Sequence, residues 1–194
     1  MRYFYLLLAL FTLTACEPAK LPSPFHAADV SGKFPAAVDF RLTDHTGKAR
    51  TLADFRGKVV ALFFGYTHCP DVCPTTLADE AQVMKLLGKD ADKVQVLFVT
   101  IDPERDTQAL LAQYVPAFDA RFLGLYGDAA ATAQVAKTFN IVYQKQPAKQ
   151  GYNMDHSAGT YLIDPQGRVR LLAPYAQRAE WLAEDMRLLL AVSR

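Results

Sequence analysis

Two nearly unbroken apolar runs, VVALFFGY at residues 59–66 and VQVLFVTI at 94–101, dominate the hydrophobic pattern of the chain. Runs of this length, rich in β-branched and aromatic residues, suit strands buried on both faces. Between them TTLADEAQVMKLLGK sets Leu77, Ala81, Met84 and Leu87 at helical spacing and closes on Gly88. Strand, helix and strand in this order predict a right-handed crossover with parallel strands. Upstream, VDFRL and ARTL flank TDHTGK, which predicts a hairpin from Val38 with Gly47 at the positive-φ position and His45 as a turn residue. Downstream, a helix is expected from about Thr107, a short strand at FLGLYG and a helix capped by Asp128. AGTYLID and RVRLLA flank Pro165-Gln166-Gly167 as another hairpin, and RAEWLAEDMRLLLAV reads as an amphipathic last helix.

This order of elements predicts an α/β chain with a thioredoxin-like fold: a central mixed sheet flanked by helices, with the first hairpin as an N-terminal extension. In open sheets of this kind chemistry gathers beyond the carboxyl ends of the parallel strands. Cys69 and Cys73 follow one such end, and Asp102 follows the next.

Composition adds a boundary at the N-terminus. The chain has 194 residues, 51% hydrophobic and 21% charged, which suits a single domain. Its 21 basic and 20 acidic residues form no basic run, so a nucleic-acid surface is not expected. Residues 1–15 combine Arg2 with the apolar run YFYLLLALFTLTA, the arrangement of an export signal. Leu13-Thr14-Ala15-Cys16 resembles the lipobox of bacterial lipoproteins, which implies cleavage before Cys16 and lipidation of that residue. Residues 16–35, rich in proline and small residues, then read as a flexible lipid-anchored tether containing a solvated His26, and residues 36–194 as the domain.

Of the three cysteines, lipidation accounts for Cys16 and leaves Cys69 and Cys73 in CPDVCP as an isolated pair. Each precedes a proline, so both should be extended or at a helix boundary. Pro74 suits the first helical position, which makes Cys73 the expected N-cap, where the helix dipole favours a thiolate. Cβ atoms four apart on a regular helix lie about 5 to 6 Å from one another, whereas a disulfide needs about 3.5 to 4.5 Å. A shared metal tolerates the spacing more easily than a bridge does. A structural disulfide would close too small a ring to constrain the unfolded chain strongly.

Two thiolates call for a further ligand. His68, beside Cys69, should point away as a surface residue. His156 precedes a strand expected to run antiparallel to the core, and so lies at the sheet edge of the cysteine loop. Two thiolates and one imidazole form a soft set suited to copper, above all Cu(I), while zinc usually takes a fourth ligand. Met154 is expected to pack, and Asp71, Asp102 and Asp155 to support the ligands through hydrogen bonds or solvation.

LFFGYTHCPDVCPTTL, FVTIDPERDT and DHSAGTYLIDPQGRV, in this order, resemble the Sco/SenC family of copper-binding proteins needed for cytochrome c oxidase assembly. Upstream, FPAAVDFRLTD replaces a glycine-rich stretch common in that family. The resemblance implies a thioredoxin-like fold with Cys69, Cys73 and His156 as ligands of copper, Cu(I) or Cu(II). It implies a lipid-anchored copper chaperone on the periplasmic side of the inner membrane. The acceptor is the copper A site of cytochrome c oxidase subunit II, with another copper chaperone as a further partner. The alternative is a thiol/disulfide reductase acting on the acceptor's cysteines through Cys69 and Cys73. A peroxidase is disfavoured, because Thr67 stands two residues before Cys69 rather than three.

Overall fold

Both apolar runs fold as the central strands that the pattern predicts. The computed structural model describes residues 23–36, 38–149 and 151–192. In chain order the strands are β1 (Ala28–Asp29), β2 (Leu42–Asp44), β3 (Ala49–Arg50), β4 (Val59–Gly65), β5 (Val94–Thr100), β6 (Leu123–Tyr126), β7 (Tyr143–Pro147), β8 (Tyr152–His156), β9 (Thr160–Ile163) and β10 (Val169–Ala173). The α-helices are α1 (Val72–Leu87), α2 (Gln108–Tyr114), α3 (Ala129–Thr138) and α4 (Ala179–Val192).

Eight strands form one sheet in the order β1-β10-β9-β4-β5-β6-β2-β3. β4, β5 and β6 run parallel, and β9 pairs antiparallel with β4, matching Phe63 to Thr160. Every residue of β4 is buried, as its unbroken apolar run requires. α1 packs against α4. Thr107 and Asp128 cap α2 and α3 through the amides of Leu110 and Ala131, so the expected start of each helix holds. The expected first hairpin is β2–β3, joined to the sheet edge through β6. Its turn contains Gly47 at φ +89°, and buried Asp44 accepts hydrogen bonds from Thr46, Lys48 and Arg50. Burial alone would raise the Asp44 carboxyl, but these bonds hold it down to about 2. His45 does more than turn the chain, because its Nδ1 accepts from the Gly124 amide at 3.1 Å.

Two features depart from the sequence pattern. Residues 23–35, the described part of the stretch read as tether, join the domain: β1 pairs with β10, and the backbone amides of His26 and Ala27 each donate to the buried Asp185 carboxylate at 2.8 Å. His26 also stacks on Trp181 and lies 2.8 Å from Glu184. Phe25 and Phe34 pack on the core on either side of buried Ala27 and Val30. A segment of proline and small residues orders here because partners on β10 and α4 satisfy its backbone. The second departure is the β7–β8 hairpin, a separate two-stranded sheet ending on His156. Among the described residues no helix is long and apolar enough to cross a membrane. The expected signal over residues 1–15 and Cys16 lie outside the described residues.

Asp185→Ala leaves two backbone donors without their partner, at roughly 1–3 kcal/mol for each buried one. We expect urea denaturation to show a loss in this range, and a chain beginning at residue 36 to be less stable than one beginning at residue 23.

Candidate metal centre

The site grows from the carboxyl ends of β4 and β5. After Gly65 the chain turns through Thr67 and His68, with the Cys69 amide donating to the Tyr66 carbonyl at 3.3 Å, and enters α1. α1 begins at Val72, with Asp71 at the N-cap, so Cys73 is inside the first turn and not its cap. Pro74 is at the third helical position, two later than expected, and is tolerated because N–H groups throughout the first turn lack intrahelical partners. The consequence is geometric. The Cys73 amide is free to donate to Cys69 Sγ at 3.4 Å, so the helix start faces the first cysteine rather than the second.

Cys73 is fully buried, and Cys69 is half-buried at the cleft. Burial pushes the Cys73 thiol far above its ordinary value, which overturns the expectation that the helix dipole favours a thiolate there. Desolvation wins because the sulfur sits in the core and not at the mouth of the helix. Space for it comes from Gly65: a Cβ at that position would stand 2.9 Å from Cys73 Sγ and 2.8 Å from the Phe98 ring. An isolated glycine ending an otherwise bulky strand signals such close approach, a signal the sequence reading left unused.

His156 enters from the other side. Because β9 runs antiparallel to β4, the residues before it return to the cysteine edge, and Cys73 Sγ lies 3.6 Å from His156 Nε2. His156 Nδ1 is 2.9 Å from the Ser157 carbonyl, which can only accept; Nδ1 therefore carries the proton and Nε2 its lone pair. The rings of Phe63 and Tyr66 stand edge-on at 6.2 and 6.0 Å, and burial lowers the pKa of the imidazole. The ring is thus held neutral, the form that binds metals. In the apo site the Cys73 S–H donates to Nε2.

The ligand atoms of Cys69, Cys73 and His156 all lie within 4.8 Å of one another. Trigonal coordination with sulfur at about 2.3 Å and nitrogen at about 2.0 Å separates sulfur from nitrogen by about 3.7 Å and the two sulfurs by about 4.0 Å. The set fits one small soft ion with little movement. Cys69 and His156 line a cleft of about 370 Å³, together with Asp71 and Asp155, and Cys73 is buried behind them.

Of the expected supporting carboxylates, Asp102 is buried and makes strong bonds, but to the histidine arm and not to the cysteine loop. It accepts from Tyr152 Oη at 2.7 Å and from Arg105 Nε at 2.5 Å. The cysteine loop is held by Asp106, which the sequence reading missed. Its buried carboxylate accepts from the Thr67 amide at 3.0 Å, the Thr67 hydroxyl at 2.6 Å and the Thr100 hydroxyl at 2.6 Å. The exposed Asp71 carboxylate is 3.5 Å from the Thr75 hydroxyl, and that of Asp155 on β8 is exposed. His68 points toward Thr67 and Asp106, away from the cleft, and Met154 packs in the core.

With this geometry in hand, the sequence model of SCO1/SenC matches residues 28–191. The chain belongs to the SCO1/SenC family. A SCO2 homolog of Bos taurus mitochondria is 43% identical over 160 residues, 80% of this chain and 60% of that protein. The chain spans about 60% of the length of the curated relatives it matches first. The copper-bound structure of ScoI from Bradyrhizobium japonicum has 43% identity and TM-score 0.73, covering 78% of this chain and 98% of that one. A SCO1/SenC family lipoprotein from Bacillus anthracis has 26% identity and TM-score 0.69, covering 78% of this chain and 93% of that one. These SCO1/SenC structures share the mixed sheet and flanking helices, and with them the thioredoxin-like fold expected from sequence.

Gly65→Ala forces Cys73 Sγ or the Phe98 ring to shift. Overpacking of this kind costs about 1–3 kcal/mol, so thermal denaturation should show that loss, and titration should show weaker metal binding than in the wild-type protein.

Proposed function

We propose that this protein is a copper chaperone that carries the ion on Cys69, Cys73 and His156 and delivers it to the copper A site of cytochrome c oxidase subunit II. The observation that carries the reading is the convergence of two sulfurs and one neutral imidazole nitrogen within 4.8 Å at the edge of a cleft. Two thiolates and an imidazole are soft ligands that suit Cu(I), and Cu(II) with thiolate charge transfer. Copper-bound relatives with the same fold support that choice of ion.

Delivery follows from exposure. Cys69 at the cleft is the sulfur that an incoming thiolate can displace while buried Cys73 keeps its hold on the ion. Ligands then exchange one at a time, and no covalent intermediate is required. The protein works on the periplasmic side of the inner membrane, tethered by lipid on Cys16; the Leu-Thr-Ala-Cys motif and the Bacillus anthracis lipoprotein support this placement. Another copper chaperone would load the site.

Loading must displace the proton that the buried Cys73 sulfur holds, so binding releases acid and affinity falls as pH is lowered. His156→Ala should reduce Cu(I) affinity by at least about a hundredfold, on the scale of a lost ligand, while leaving exchange between the two thiols and a small disulfide intact. Cu(I) titration, together with assembly of active oxidase in cells carrying the variant, checks this. Loss of both copper binding and oxidase assembly is expected. Normal oxidase assembly with His156→Ala would contradict the chaperone reading and favour a thiol/disulfide reductase using Cys69 and Cys73.

A further inference from the structure

The two arms of the site are anchored very differently. Cys73 belongs to α1 and is buried against β4, whereas His156 ends a hairpin whose strands pair only with each other. Met154 is the one buried residue of β7 and β8. What fastens this hairpin is the loop after β5. Arg105 Nη1 donates to the Tyr152 carbonyl at 2.8 Å, and its guanidinium carbon lies 3.7 Å from the centre of the Tyr152 ring. Arg105 Nε and Tyr152 Oη both donate to the buried Asp102 carboxylate, and Lys145 Nζ reaches Glu104 at 2.6 Å. Asp106 of the same loop holds Thr67 beside the cysteines. One short loop thus grips both arms of the site, the cysteine arm through Asp106 and the histidine arm through Asp102 and Arg105.

We propose that Arg105 is a positioning residue that keeps His156 on the ion, and that opening of the Arg105–Tyr152 clamp lifts the imidazole away and leaves the cargo on two sulfurs for an acceptor. The inference rests on the copper-chaperone reading and names what regulates release. Tyr152 and His156 lie on one strand, about 13 Å apart at the usual strand rise, so movement at the clamp is carried to the ligand. The proton on Nδ1 travels with the hairpin, because its acceptor, the Ser157 carbonyl, follows directly in the chain. The histidine is the more lightly held arm, since Met154 is the one buried side chain of its hairpin and polar bonds to the loop after β5 fasten the rest. Of the two sulfurs, that of Cys73 could leave only with rearrangement of α1.

The test is the rate of Cu(I) transfer from the loaded protein to excess bicinchoninate. Arg105→Lys keeps a positive charge beside buried Asp102, so the fold is retained, but it lacks the planar fork that bonds Tyr152 and stacks on it. Tyr152→Leu removes the other half of the clamp. Each should speed transfer by about tenfold, the effect of losing one charge-assisted hydrogen bond. Neither should speed transfer further in a His156→Ala background, because the clamp acts through that imidazole. Wild-type rates in both clamp variants, or the same acceleration with and without His156, would overturn the clamp while leaving copper binding standing. A wild-type protein that retains no Cu(I) would overturn the chaperone reading and the clamp together.

Discussion

The pairing of β4 with β5 on one side and β9 on the other is the constraint from which the site follows. Parallel pairing sets Gly65 level with Thr100, and the Ile101 amide donates to the Gly65 carbonyl at 2.9 Å, so the cysteine loop and the loop of Asp102 to Asp106 leave the sheet side by side. Antiparallel pairing of Phe63 with Thr160 returns the chain before β9 to that same edge, with His156 four residues upstream. A slip of one residue in either ladder would turn alternate side chains to the wrong face. With β4 apolar on both faces, side-chain size makes such a slip costly: only a glycine fits where Gly65 meets Cys73 Sγ and the Phe98 ring.

Within that frame the decisive competition is at Cys73. A helix N-terminus stabilises negative charge on sulfur by a modest amount, about 0.3–1 kcal/mol at an exposed end. Desolvation of a fully buried group can shift its pKa by about 3–5 units, which is several times larger. The sulfur is therefore protonated in the apo protein and shares its proton with His156 Nε2, 3.6 Å away. An ion that binds both atoms takes the place of that proton. Burial that opposes a free thiolate thereby favours a soft cation over the empty, charged site. Cys69, half-buried and facing the Cys73 amide, is the sulfur that lines the cleft.

Much of this was legible in the sequence, for identifiable reasons. β4 and β5 announce themselves as long apolar runs, and the helix caps at Thr107 and Asp128 follow from local side-chain chemistry. Cys69, Cys73 and His156 come together as the strand order implied. The β7–β8 hairpin was not legible, because YQKQP carries no alternating apolar signal and the alternation in YNMDH, with Met154 alone buried, is too short to mark a strand. β1 is two residues long and owes its order to β10 and Asp185, which lie over a hundred positions away. Asp106 was missed for a similar reason: it holds Thr67, 39 positions away in the chain. The helix start was misplaced by two residues, since proline is acceptable anywhere in the first turn.

The proposed copper chaperone requires that two sulfurs and one imidazole nitrogen bind a single copper ion. X-ray absorption at the copper edge of the Cu(I)-loaded protein tests it most directly. Two sulfur neighbours and one nitrogen neighbour are expected, with the nitrogen lost in His156→Ala. Coordination by sulfur alone in the wild-type protein, or a spectrum unchanged by that substitution, would contradict it.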